Sequence, residues 1–149
     1  DHKHPHVGIA SGLALIGHSF LDGAGIGLGF QVSSTVGIAV AIAVIAHDFT
    51  DGMNTVNMIL KNGGSKMSAI KWLATDSIAP LLGIMSTLFF TLPSSMLGVI
   101  LAIFAGFFIY IGASDLLPES HHSHPTVWTT ISTILGVVVL YFAITLAGV

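Results

Sequence analysis

Histidine and aspartate recur at one spacing in this chain, inside otherwise apolar sequence. His18 and Asp22 stand four residues apart, and His47 and Asp51 repeat the arrangement. Four residues is about one helical turn, so each pair shares a helix face. Asp48 lies three residues before Asp51, on the flank of the second face, and Asn54 and Met58 extend that stripe. Imidazole and carboxylate without thiolate suit Zn²⁺, Fe²⁺, Mn²⁺ and similar first-row ions. Two facing helices that each offer a His and an Asp one turn apart can converge on one ion, as helical bundles do with such ligands. A lone histidine is equally well explained by hydrogen-bonded packing, and a lone aspartate by a protonated helix–helix bond. Two matched pairs are much harder to explain that way. Asp76 stands alone, with Thr75 and Ser77 beside it as local polar contacts, and Asp115 and Glu119 read as a solvated helix end.

The surroundings give these residues their weight. Of 149 residues, 53% are hydrophobic and only 7% charged, and the mean hydropathy is +0.91. Soluble domains carry about 25% charged residues, so the solvent of this chain is mostly lipid. An ionised side chain deep in a bilayer costs about 2.5–3.5 kcal/mol on the insertion scale. Two ionised aspartates in one span would cost roughly 5–7 kcal/mol, less whatever protonation or a water-filled cavity relieves. Ionisable residues kept in so costly a place point to function. The net charge of −3 comes without a basic patch, which excludes nucleic acid as a partner. With no cysteine there is neither a disulfide framework nor a thiolate site.

The elements that must position the two pairs are all helical. Five apolar segments of about 20 residues are long enough to span. They cover approximately 7–30, 36–60, 70–92, 94–117 and 126–148. The fold class is therefore an all-α, polytopic transmembrane bundle, and 1–149 reads as part of one transporter-like domain. The connections are short, and Pro93, Pro118 and Pro125 fit helix ends. Small residues repeat every four positions at Gly8 and Gly12, Gly25 and Gly29, and Gly98, Ala102 and Gly106, which suits close helix packing in lipid. The chain has no arginine; Lys3, Lys61, Lys66 and Lys71 all fall on one side of a five-span arrangement. Positive charge near helix ends stays in the cytoplasm, which puts the N-terminus and the His121–His124 loop there. Histidine-rich stretches such as these, at 1–6 and 121–124, are compositional metal-binding signals.

His18-Ser19-Phe20-Leu21-Asp22-Gly23, followed by His47-Asp48-Phe49-Thr50-Asp51-Gly52, resembles the paired signature of the Zrt/Irt-like (ZIP) metal transporters. Gly106 to Tyr110, leading into Asp115-Leu116-Leu117-Pro118-Glu119, is similar to the next-to-last helix of that family. The resemblance covers nearly the whole chain. It implies spans four to eight of eight, so that the chain is a C-terminal portion and residues 1–6 end a cytoplasmic His-rich loop. It implies import of Zn²⁺, or of iron, manganese or cadmium, through a binuclear intramembrane site. One ion would sit on His18, Asp22, His47 and Asp51. A second would sit on Asp48 and a bridging Asp51, with Ser19 and Asp76 as additions. The implied partners are the ion, the bilayer of the cell (inner or plasma) membrane, the preceding spans, and a second copy of the chain as an option. The chain departs from the family at Ser19, where asparagine is common. It departs again at Thr50, where proline usually kinks the helix.

Transport leads, and no catalytic residues are expected. It requires a site near mid-membrane that also lets go, and Gly23, Gly25, Gly27 and Gly29 supply flexibility after Asp22. The alternative is an intramembrane zinc hydrolase with three protein ligands, an open water position and Asp48 as base. A third reading uses the carboxylates as a proton relay. The orientation is directly testable, because the chain has no cysteine to interfere. Ser65→Cys should resist a membrane-impermeant maleimide on intact cells while Ser33→Cys reacts; labelling of Ser65→Cys from outside would reverse the topology.

Overall fold

The computed structural model describes residues 5–110, 113 and 126–146. Its elements are α1 (Pro5–Val32), α2 (Ser34–Lys61), α3 (Lys66–Ser86), a 3₁₀ turn (Thr87–Phe89), α4 (Ser94–Tyr110) and α5 (Val127–Leu146). The architecture is an all-α membrane bundle. Among the described residues three helices are long and apolar enough to cross a membrane, over Ala10–Val32, Ser34–Lys61 and Lys66–Phe89. Ser94–Tyr110 and Val127–Phe142 are shorter apolar helices among the described residues.

Turn chemistry sets the boundaries that periodicity misses. Only Ser33 separates α1 from α2, where a loop over 31–35 was expected. Its extended backbone lets the hydroxyl accept from Val36 N, which caps α2 and reverses the chain in one residue. Ser65 caps α3 the same way, accepting from Ser68 N, so α3 begins at Lys66 instead of near residue 70. The glycines after Asp22 do not break α1, and α2 is continuous through Thr50. The proline inside a helix is Pro80 on α3, which the sequence reading passed over. Pro80 has no N–H, so it cannot close the bond to the Asp76 carbonyl one turn back.

Cross-helix neighbours fix the directions. Gly29 meets Gly37 and Asp22 meets His47, so α1 and α2 run antiparallel. Gly12 meets Trp72, Ser19 meets Asp76 and Gly27 meets Thr87, so α1 and α3 run parallel. Gly25 lies against Phe104 and His18 against Phe108, which places α4 antiparallel to α1.

Burial is inverted relative to a soluble protein. Large apolar side chains such as Ile45, Phe49, Leu81, Phe107 and Val137 face outward, while Ser19, Asp22, Thr55, Asp76 and Thr87 are buried. Lipid is as apolar as leucine, so close packing and polar contacts must hold the helices together. The closest approach is between α1 and α3. A Cβ at Gly23 would strike the Pro80 carbonyl, and one at Gly83 would strike the Phe20 carbonyl and Ala24 N. Gly98 and Gly106, expected to serve close packing on α4, face open space. Gly83→Ala should therefore destabilise by about 1–3 kcal/mol through overpacking against backbone. Gly98→Ala should be neutral or stabilising by up to about 1 kcal/mol, since alanine is the better helix former. Thermal unfolding in detergent compares the two.

Candidate metal centre

Antiparallel pairing of α1 and α2 brings the two His–Asp pairs face to face. His18 Nε2 lies 3.3 Å from Asp22 Oδ2 and 3.5 Å from Asp51 Oδ2. His47 Nε2 lies 3.0 Å from Asp22 Oδ2 and 3.6 Å from Asp51 Oδ2. The four ligand atoms are all within 4.8 Å of one another, the one such group among the described residues. Bonds of about 2.0–2.2 Å in a tetrahedron imply ligand–ligand edges of roughly 3.3–3.6 Å. The N···O distances of 3.0–3.6 Å reach that range, and all four atoms lie within 4.8 Å of one another, so the donor set suits a first-row ion with small adjustments of the side chains.

The tautomer of His47 sharpens the point. The Ala43 carbonyl can only accept, so His47 Nδ1–H donates to it, at 2.8 Å. This leaves Nε2 facing the carboxylate oxygens. Without a proton or a cation, a nitrogen lone pair would oppose carboxylate lone pairs at 3.0 Å. A backbone carbonyl fixing the far nitrogen is also how metal-ligating histidines are oriented.

Phe108 of α4 closes one side, its ring edge-on to both imidazoles with centroids 5.4 Å from His47 and 6.4 Å from His18. Beside it a cavity of about 640 Å³ runs between α1 and α4, lined by His18, Asp22, Leu21, Phe104 and Phe107 among others. Asp22 is buried, whereas both histidine side chains remain about one-third exposed. The cluster thus sits against an opening.

The other expected site residues are placed elsewhere. Ser19 and Asp76 meet each other: Ser19 Oγ donates to Asp76 Oδ1 at 2.8 Å. Asp76 Oδ2 accepts from Thr55 Oγ1 at 2.9 Å. Thr75 and Ser77, the local partners expected for Asp76, instead bond back to their own helix, at Lys71 O and Leu73 O. Asp48 is exposed and lines a groove of about 500 Å³ with Met53, Asn57, Leu73 and Ser77. Sequence reasoning missed Thr55, which is fully buried. It follows Asp51 by one turn, whereas Asn54, assigned to that stripe, is exposed. His2, His4, Asp115, Glu119, His121, His122 and His124 lie outside the described residues.

A family model described as ZIP Zinc transporter matches residues 1–145. The chain belongs to the ZIP zinc transporter family. Comparison with curated proteins and with solved structures gave no match. ZIP membership makes this a multi-pass membrane protein of divalent metal transport, and the His/Asp cluster lies on two of the three long apolar helices among the described residues.

Proposed function

We propose that this ZIP-family chain carries Zn²⁺, or a similar divalent transition metal, into the cytoplasm, with His18, Asp22, His47 and Asp51 as the ligands of the transported ion. The observation that carries this reading is the set of four N···O distances, 3.0–3.6 Å, centred on two imidazole nitrogens and two carboxylate oxygens. Two carboxylates also match the charge of a divalent ion, which lowers the cost of holding it in a low dielectric. Four protein ligands complete a tetrahedral set and leave no position for an activated water, which favours a carrier over a hydrolase. Iron, manganese and cadmium are the competing cargoes, since the ligand types admit them.

A second ion would use Asp51 as a bridge to Asp48; Ser19 and Asp76, the additions that the resemblance implies, hydrogen-bond to each other instead. The support for that part is sequence resemblance, and the gathered cluster supports the first ion. Inward direction rests on the lysine distribution and the family.

Asp51→Ala should lose more bound metal per protein than Asp76→Ala or Ser19→Ala, measured by elemental analysis of purified protein. Equal stoichiometry in all three would sink the ligand assignment. Uptake of competing metals into vesicles then ranks the cargoes, and saturable entry abolished by His18→Ala identifies the carrier.

Proton competition gives a separate check. Ligands must be deprotonated to bind, so loading releases protons and acid opposes it. Imidazole ordinarily titrates near 6.5. Metal affinity should fall clearly from about pH 7 to pH 5. A flat profile measured by metal titration would exclude a histidine-containing site.

A further inference from the structure

Four ligand atoms on two helices make a usable site only if the helices hold their register. A bound ion tolerates displacements of about 0.5 Å in its ligands. Each ligand helix also carries one buried hydroxyl. On α1 it is Ser19, next to His18 and three residues before Asp22; on α2 it is Thr55, one turn past Asp51. These are the two largest fully buried side chains, and both donate to one carboxylate on a third helix. Asp76 is itself buried, with one oxygen taken by each hydroxyl. Among the described residues the Thr55–Asp76 bond is the only hydrogen bond that joins α2 to α3.

We infer that Thr55 is a positioning residue: through Asp76 it fixes the rotation and height of α2 against α1, and so sets the geometry of the His18, Asp22, His47, Asp51 cluster. The backbone supports this division of labour. α1 and α3 are already locked at Gly23–Pro80 and Gly83–Phe20, where no side chain intervenes. α2 has no such interlock with α3; Gly52 meets only the tip of Leu73. α2 meets the α1 backbone at Gly29–Gly37 near the connecting turn, and with α1 and α3 acting as one block Asp76 presents a second anchor point to α2 on the far side of the cluster. Hydroxyl–carboxylate bonds away from water are strong and directional, which makes one of them enough to index a helix. Ser19 keeps the same carboxylate aimed, so the two donors and one acceptor form a tie across three helices. No lipid group can substitute for any member.

The functional side of the inference rests on the proposed metal site, so its test has one arm that needs metal and one that does not. In the full chain, Thr55→Val keeps the shape and removes the donor, while Thr55→Ser keeps the donor. Zn²⁺ titration should show about ten-fold weaker affinity in Thr55→Val with unchanged stoichiometry, in line with the loss of groups that orient ligands. Thr55→Ser should restore affinity to within about three-fold. Asp76→Ala, which removes the acceptor, should abolish the difference between threonine and valine at 55, since partners in one contact are non-additive. In the second arm, spin labels replace exposed Leu21 on α1 and Ile45 on α2, in a chain with no native cysteine. Without metal, the distance distribution should be narrow in the parent and Thr55→Ser, and shifted or broadened in Thr55→Val. Unchanged distances and affinity in Thr55→Val would overturn the inference, as would loss of one metal equivalent, which would make Thr55 a ligand. A parent that binds no Zn²⁺ but shows the distance change would retain the tie and overturn the proposed function instead.

Discussion

A bilayer offers no hydrogen bonds, so each polar group turned into this bundle must find its partner within the protein, on its own helix or on another. The inward-facing polar side chains obey that constraint in discrete sets. His18 and His47 meet Asp22 and Asp51 across the α1–α2 seam. Ser19 and Thr55 meet Asp76 one layer away. Gln31 uses both ends of its amide, donating to Thr87 O and Phe90 O and accepting from Leu92 N, which fastens the α3–α4 connection to the end of α1. Among the described residues no buried side-chain nitrogen or oxygen is left without a partner. Apolar burial contributes little specificity here, because a leucine on lipid and a leucine on another helix are nearly equivalent. The polar sets therefore decide which helix faces which.

That logic explains why α1 is the most buried of the long helices. It must meet α2 with ligands, α3 with backbone and α4 with the cavity wall, all within a few turns. Such crowding is feasible only with small residues on the α3 face, and Gly23, Ala24 and Gly27 supply them. Of the glycines that looked like hinges after Asp22, Gly23 and Gly27 are places where a neighbouring segment approaches too closely for a side chain, whereas a Cβ at Gly25 or Gly29 would meet its neighbours at 3.3 and 3.2 Å. Flexibility and close approach call for the same residue, so sequence alone does not separate the two uses.

The class of fold and the four clustered residues were legible because both depend on local pattern. Apolar length sets the spans, and i,i+4 spacing sets a shared face. The pairing of α1 with α2 followed from a second copy of the same spacing. What escaped the sequence depends on helix rotation and on caps. Asn54 and Thr55 stand three and four residues past Asp51, and periodicity admits either to the stripe. Only packing against α3 chooses Thr55. Likewise Asp76 had plausible partners in its sequence neighbours, but serine and threonine within a helix satisfy themselves on the preceding turn, as Thr75 and Ser77 do. Its real partners lie 57 and 21 residues away.

The cluster also frames how a carrier can bind and still let go. A closed tetrahedral set around a divalent ion would hold it as a structural site does. Three features oppose permanence here. The histidines stay partly exposed, an open cavity adjoins them, and the ligands come from two helices instead of one rigid loop. Departure of the ion would leave two carboxylates facing each other unless the imidazoles between them take up protons, at a cost that rises as water is excluded. Release must then be accompanied by separation of α1 from α2, by entry of water through the cavity, or by another cation taking the place between them. On the proposed reading, the residence time of the ion and the opening of the seam between α1 and α2 depend on the same four side chains.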